Sequence, residues 1–272
     1  MYETYWNLKQ KPFENASDPR YYYPGESHQA ALMKLRYAIE NRRGGALLAG
    51  PSGSGKTLIT TMLRNSLGPD FSPFVHLVFP QMPTDELLAY LADELDGASA
   101  TDTPSVQSSV RRIERFLAAN AEEGHHAVVA IDEAHLLDSP RTFEALRLLL
   151  NFEHGGSPAL TLLLAGQPSL LPTLNRMPQW EERLGVKCLL RPFYEPETAG
   201  YVEHRLKVAG STGSIVESDA VPTLQDLTHG IARQINRLCD LALLIGYAEE
   251  RDTLDAEHFQ SVCRELVAVA PE

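Results

Sequence analysis

Residues Gly50 to Thr57 read GPSGSGKT, and few eight-residue runs restrict a fold as tightly. The apolar run Ala46-Leu47-Leu48-Ala49 precedes them, and Leu58-Ile59-Thr60-Thr61-Met62-Leu63 follows. That order predicts a buried strand, a glycine-rich loop and a helix, the setting that a phosphate-binding (Walker A) loop requires. Glycines let successive backbone N–H groups turn inward without Cβ clashes. The helix start adds unpaired N–H groups and the positive end of its dipole. On this reading Gly50, Pro51, Ser52, Gly53, Ser54, Gly55, Lys56, Thr57 and Leu58 form the nucleotide-binding set. Lys56 reaches the β- and γ-phosphates as a point charge, and Thr57 places its hydroxyl on Mg²⁺. The competing reading, a glycine-rich turn that binds nothing, gives no reason for the strand before it and the helix after it.

A second stretch, Ala127-Val128-Val129-Ala130-Ile131-Asp132-Glu133, carries an unbroken apolar run into an acidic pair, a Walker B pattern. Without period-two alternation, the run fits a strand buried on both faces of a parallel sheet. Its carboxylates then emerge at the C-terminal end, where open α/β sheets bind ligands. Asp132 is expected to hold Mg²⁺ through water and Glu133 to polarise the attacking water, because phosphoryl transfer to water needs positioning and a base. Standing alone, such a pair reads equally as a helix N-cap with a solvated neighbour. His135 reads best as a helix-start histidine touching water or a backbone carbonyl. Leu160 to Ala165 predicts another central strand, leading to Gly166-Gln167-Pro168. Gln167 there either senses the γ-phosphate or the attacking water, or caps its own backbone.

Bulk properties limit the partners. With 272 residues and a formal charge of −12, the chain should repel polyanions over most of its surface. That counts against a large nucleic-acid grip, which needs several phosphate-neutralising Lys or Arg, but leaves room for a small basic stripe. Cys188, Cys239 and Cys263 have no metal-like spacing and read as buried thiols in a reducing compartment. No secretory signal opens the chain, and its apolar runs are strand-length, so a cytoplasmic protein without a membrane span is expected.

The periodicity also predicts helices over 28–41, 85–95, 109–121 and 140–152, strands over 73–79 and 186–190, and a turn-like loop at 97–105. A helix-like stretch spans 170–180. Residues 1–25 are aromatic and turn-rich, a strap that either lies over a base and ribose or plugs the rim of the core. Helices over 195–208, 219–227, 231–247 and 255–266 follow the hinge Arg191-Pro192-Phe193-Tyr194. The expected fold class is α/β, a phosphate-loop NTPase with a three-layer parallel sheet (1–192) and a C-terminal all-helical lid (193–272).

Three blocks carry a family resemblance: KPFENASDPRYYYPGESHQAAL at 11–32, LLLNFEHGGSPALTLLLAGQPSL at 148–170 and GIARQINRLCDLAL at 230–243. With the two phosphate motifs, they make the chain resemble AAA+ ATPases, in the branch of general secretion pathway protein A-like and transposition-helper ATPases. The resemblance implies ATP and Mg²⁺ as cofactors and a homo-oligomer. It also implies that Arg183, otherwise a solvated or carboxylate-paired side chain, is an arginine finger donated in trans, and that Arg233, otherwise a surface residue, is a second sensor reaching the γ-phosphate. Arg237, one turn on, reads as a packing or interface residue. Ala232 departs from the proline usual before that sensor.

The function expected first is that of a cytosolic ATPase partner of a secretion, pilus or polysaccharide-export assembly. Secretion-like relatives continue into a membrane span and a wall-binding domain, which this sequence is expected to lack. Two alternatives stand beside it: a transposition-helper-like ATPase on duplex DNA, disfavoured by the acidic charge, and a nucleotide-gated scaffold with little turnover.

Overall fold

The computed structural model describes residues 1–98, 105–137 and 139–268. Most of the loop expected at 97–105 therefore lies outside the described residues. The strands are β1 (Gly45–Ala49), β2 (Phe74–Leu77), β3 (Ala127–Ile131), β4 (Glu153–His154), β5 (Ser157–Pro158), β6 (Leu160–Gly166) and β7 (Leu184–Leu189). The first helices are α1 (Tyr2–Tyr5), α2 (Glu26–Glu40), α3 (Lys56–Ser66), α4 (Thr84–Asp96), α5 (Val106–Glu122) and α6 (Pro140–Leu149). After them come α7 (Leu170–Asn175), α8 (Pro178–Glu181), α9 (Glu195–Val208), α10 (Val221–Thr228), α11 (Ala232–Ala248) and α12 (Ala256–Ala268). An α/β domain with a parallel sheet and flanking helices is thus followed by a mostly helical region.

Packing groups the chain into two compact units that do not follow chain order. One comprises residues 27–50 and 59–190, the other residues 1–26, 51–58 and 191–272.

The first unit is built on a five-stranded parallel sheet in the order β2-β3-β6-β1-β7. β1, β3 and β6 are buried along their whole length, as their unbroken apolar runs require. Leu47, Val129, Ile131, Leu162 and Leu164 share one core with Leu87, Leu91, Ile113, Phe143, Leu146 and Trp180 from the helices. On α2, Ala31, Leu35, Ala38 and Ile39 are buried, and the Ala31 carbonyl accepts from Cys188 Sγ on β7. Burial pushes the Cys188 thiol up to about 11, so it behaves as an inert core thiol. Cys239 is buried too, and Cys263 half-buried.

Three elements differ from the sequence expectation. β2 stops at Leu77, because its last rung is the Asp132 N–H to the Leu77 carbonyl and β3 ends there; Val78 and Phe79 are left exposed. The stretch after α6 forms a hairpin, β4 with β5, since Gly155 and Gly156 both take positive φ (59° and 78°). The helix expected over 170–180 is two helices, because Met177 before Pro178 sits at φ −120°, ψ 81°.

His126, just before β3, is 1% exposed, with Nε2 2.8 Å from Thr161 Oγ1 and the Phe71 ring edge-on. Burial, reinforced by the Arg42 charge, pushes its pKa down to about 4. The folded state holds it neutral, so its stabilisation is present above the ordinary value near 6.5 and is lost as pH falls towards 4. Between pH 7.5 and 5 this linkage should remove about 2 kcal/mol. Denaturant unfolding at both pH values should show that excess loss in the parent chain relative to His126→Gln; equal losses would exonerate His126.

In the second unit, Tyr2, Trp6, Leu8 and Phe13 of the N-terminal strap are buried with Phe193, Tyr201, Leu206, Ile235, Leu243 and Phe259. Trp6 Nε1 donates to the Leu243 carbonyl (2.9 Å). Arg205 on α9, 4% exposed, donates to the carbonyls of Pro12 (2.5 Å) and Glu14 (2.8 Å) and to the Tyr201 hydroxyl (2.9 Å). Its guanidinium also lies 4.5 Å from the Tyr21 ring centroid. A cation this deep needs such partners, because an unpaired buried charge is costly. Among the described residues, no helix is long and apolar enough to cross a membrane.

Candidate nucleotide site

Residues 51–58 of the phosphate loop belong to the second unit, and α3 begins at Lys56 as the motif requires. Gly53 and Gly55 take φ of 78° and 91°, where a side chain would be strained. A Cβ on Gly53 would also lie 2.6 Å from Arg233 Cβ. The close approach is made by the first turn of α11, where the Arg233 N–H donates to the Gly53 carbonyl at 3.2 Å. Lys56 is 5% exposed and its ammonium donates to the Pro51 carbonyl at 3.0 Å. The Arg233 side chain is exposed, as is that of Arg237.

The expected hinge is tied to the turn before α11. The Phe193 N–H donates to the Gly230 carbonyl (2.9 Å), and Gln225 Nε2 donates to the Phe193 carbonyl (3.0 Å). Arg191 bridges Glu26 (2.7 Å) and Glu197 (2.5 Å), with its guanidinium 3.8 Å above the Tyr194 ring.

The acidic pair belongs to the sheet unit. Asp132 follows β3 directly and its side chain is 2% exposed. Its Oδ1 accepts from the Glu133 N–H (2.9 Å), and its Oδ2 lies 3.8 Å from Nε2 of His76 on β2. Glu133 has left-handed backbone angles, φ 49° and ψ 33°, uncommon for any residue but glycine, asparagine and aspartate. Its carboxylate is partly exposed and lies 3.4 Å from His135 Nδ1. Gln167 follows β6; its N–H donates to that same Nδ1 (3.4 Å), and its carbonyl accepts from Leu170 N–H. The Gly50 N–H donates to the Gly166 carbonyl (3.1 Å). Gly50, Asp132, Glu133 and Gln167 therefore gather at the C-terminal ends of β1, β3 and β6.

Arg183 lies elsewhere. It precedes β7, whose Leu184 pairs with Gly45 at the start of β1, and the Gly45 N–H donates to the Arg183 carbonyl (3.0 Å). Its Nη2 donates to Asn151 Oδ1 (2.7 Å). The length of β1, about 17 Å at roughly 3.3 Å per residue, separates it from the end that carries Gly50.

These residues fit a nucleotide phosphate: two glycines with left-handed φ, a buried ammonium and a helix N-terminus. Asp132, its Oδ1 accepting from the Glu133 N–H and its Oδ2 beside His76, is a buried carboxylate of the kind that holds a hydrated cation. Among the described residues no three His, Cys, Asp or Glu side chains converge on a metal position. A cation here would take its remaining ligands from hydroxyl, water and phosphate oxygens, which is how Mg²⁺ is commonly held. Sequence reasoning missed His76 beside Asp132. Its signal was a lone polar side chain in the apolar strand Phe74–Leu77.

The chain has relatives among known proteins. The chain is similar to general secretion pathway protein A of Aeromonas hydrophila, 34% identical over 251 residues, which is 91% of the chain and 45% of that protein. It thus spans less than half the length of this curated relative. Among solved structures it is similar to Cdc6p of Pyrobaculum aerophilum (TM-score 0.73, 15% identity, covering 96% of the chain and 74% of Cdc6p). The Holliday junction branch migration motor RuvB of Thermotoga maritima is another (TM-score 0.60, 18% identity, 88% and 69%). Both share its fold. The family model described as "AAA domain" matches residues 39–174, from the end of α2 through the phosphate loop, the acidic pair and Gln167. That match spans half of the chain, which therefore belongs to the AAA family of ATPase domains.

Proposed function

We propose that this chain is an ATP-hydrolysing molecular switch. The reading is carried by the conjunction of a phosphate loop whose glycines have left-handed φ with a buried Asp132 followed by Glu133. Residues Gly50 to Leu58 hold the nucleotide, Lys56 meets the β- and γ-phosphates, and Thr57 and Asp132 serve Mg²⁺. The bound cation supplies charge neutralisation for the transferring phosphoryl group. Glu133 orients the attacking water, and the Gln167 side chain senses it. Arg233 serves as the second sensor, its amide already bonded to the Gly53 carbonyl. Arg183, at the far end of its own sheet, completes the site of a neighbouring copy.

For the target, duplex DNA takes precedence over the secretion assembly. The solved relatives include a branch migration motor, and one local stripe escapes the acidic balance. Residues 34–43 hold Lys34, Arg36, Arg42 and Arg43 against Glu40 alone, with Lys34, Arg36 and Arg43 exposed. The second reading, a partner of a secretion machine, is favoured by the 34% identity to general secretion pathway protein A.

ATP turnover and particle mass, measured with and without duplex DNA at low and moderate salt, test both levels. The DNA reading expects stimulation and larger particles, both weakened by added salt and by Arg42→Ala with Arg43→Ala. Turnover indifferent to DNA would hand the target to a protein partner. A chain that binds ATP but never hydrolyses it would end the switch proposal.

A further inference from the structure

His135 stands between the two residues assigned to the attacking water. Its Nδ1 is 3.4 Å from Glu133 Oε2 and 3.4 Å from the backbone nitrogen of Gln167, at the ends of two neighbouring strands. The ring is mostly buried, its side chain 12% exposed. A Cβ on Gly166 would lie 3.1 Å from the His135 backbone nitrogen and from Leu170 Cδ2, and 3.4 Å from Nδ1. The glycine of the Gly-Gln-Pro turn thus makes room for the backbone that carries this imidazole.

One nitrogen cannot satisfy both neighbours at once. Nδ1 accepts from the Gln167 amide only when it carries no proton, and donates to the Glu133 carboxylate only when it carries one. Glu133, meanwhile, has a partly exposed side chain on an unfavourable backbone conformation, so its carboxylate needs a lateral restraint to stay in one place.

We propose that His135 is a positioning residue. Its Nδ1 alternates between the Gln167 amide and the Glu133 carboxylate, and this exchange ties the orientation of the base to the end of β6. The proposal rests on the reading of Glu133 as the residue that orients water. Because His135 acts through Glu133, its loss should lower the rate of hydrolysis and leave nucleotide affinity alone.

The test compares the parent chain with His135→Ala, His135→Asn, Gly166→Ala and Glu133→Gln. Steady-state ATP turnover is read beside the Kd of a fluorescent ATP analogue, with thermal melting as the check on folding. His135→Ala should lower kcat about 10- to 100-fold, the scale for loss of a residue that orients another, with KM and Kd unchanged. His135→Asn, whose amide can both accept and donate, should recover part of the loss. Gly166→Ala should lower kcat in the same direction by shifting the His135 backbone, and it reports even where His135→Ala fails to fold. Unchanged kcat in folded His135→Ala or Gly166→Ala, with Glu133→Gln inactive, overturns the role of His135 alone. Equal losses in kcat and affinity overturn it as well. A parent chain without turnover overturns the underlying assignment of Glu133 and this proposal with it.

Discussion

Arg183→Ala should lower ATP turnover by about 10³–10⁵-fold, the scale on which arginine fingers act in phosphoryl transfer. The expectation rests on the role that the sequence resemblance implies for Arg183 and on its place in the sheet. It precedes β7 at the end where Gly45 starts β1, whereas Gly50, Asp132 and Gln167 lie at the other end. A guanidinium extends about 6–7 Å from its Cα and cannot cover the length of β1, about 17 Å. On the proposed reading, the nucleotide it serves is expected in another copy. Mixing Arg183→Ala with Lys56→Ala subunits provides the measurement, since each supplies what the other lacks. Turnover in the mixture, from two species inactive alone, is the expected result; an assembled but inactive mixture would remove the trans arrangement. The bond from Arg183 to Asn151 is a small competing effect, because exposed pairs of this kind contribute about 1 kcal/mol or less.

Glu133→Gln should be nearly as severe, lowering kcat about 10²–10⁴-fold, or roughly 3–5 kcal/mol in the barrier. The amide keeps the size of the carboxylate but cannot take a proton, and Asp132 and the phosphate loop are untouched. ATP binding should thus survive, and assemblies that depend on bound ATP should persist longer. Equilibrium binding beside single-turnover hydrolysis separates the two effects. Loss of binding in step with loss of turnover would mean that position 133 supports the loop and not the water.

The features legible in the sequence were those with a local cause. β1, the phosphate loop and α3 are specified by an apolar run, glycines and a helix start, all within 22 residues (45–66). The unbroken run before Asp132 identified a doubly buried strand for the same reason. The features not legible depend on distant partners. Arg205 is held by the carbonyls of Pro12 and Glu14, more than 190 positions away, and nothing around residue 205 announces that bond. β2 was read too long because its end is set by where β3 stops. His135 was read as touching water or a backbone carbonyl. Its neighbours are a backbone N–H and a carboxylate, and the N–H sits on another strand's end, 32 residues on. The grouping of residues 51–58 with 191–272 likewise follows from a close approach between Gly53 and Arg233 that no periodicity encodes.

The left-handed backbone at Glu133 implies a conflict between durability and activity. At φ 49° and ψ 33° the residue best suited to the chain itself is glycine or asparagine, and a glutamate costs on the order of 1 kcal/mol or more there. Glu133→Gly or Glu133→Asn is therefore expected to raise the melting temperature and, on the proposed reading, to abolish ATP turnover. On the proposed reading, a glutamate at this position trades the preference of its own backbone for the work of its carboxylate.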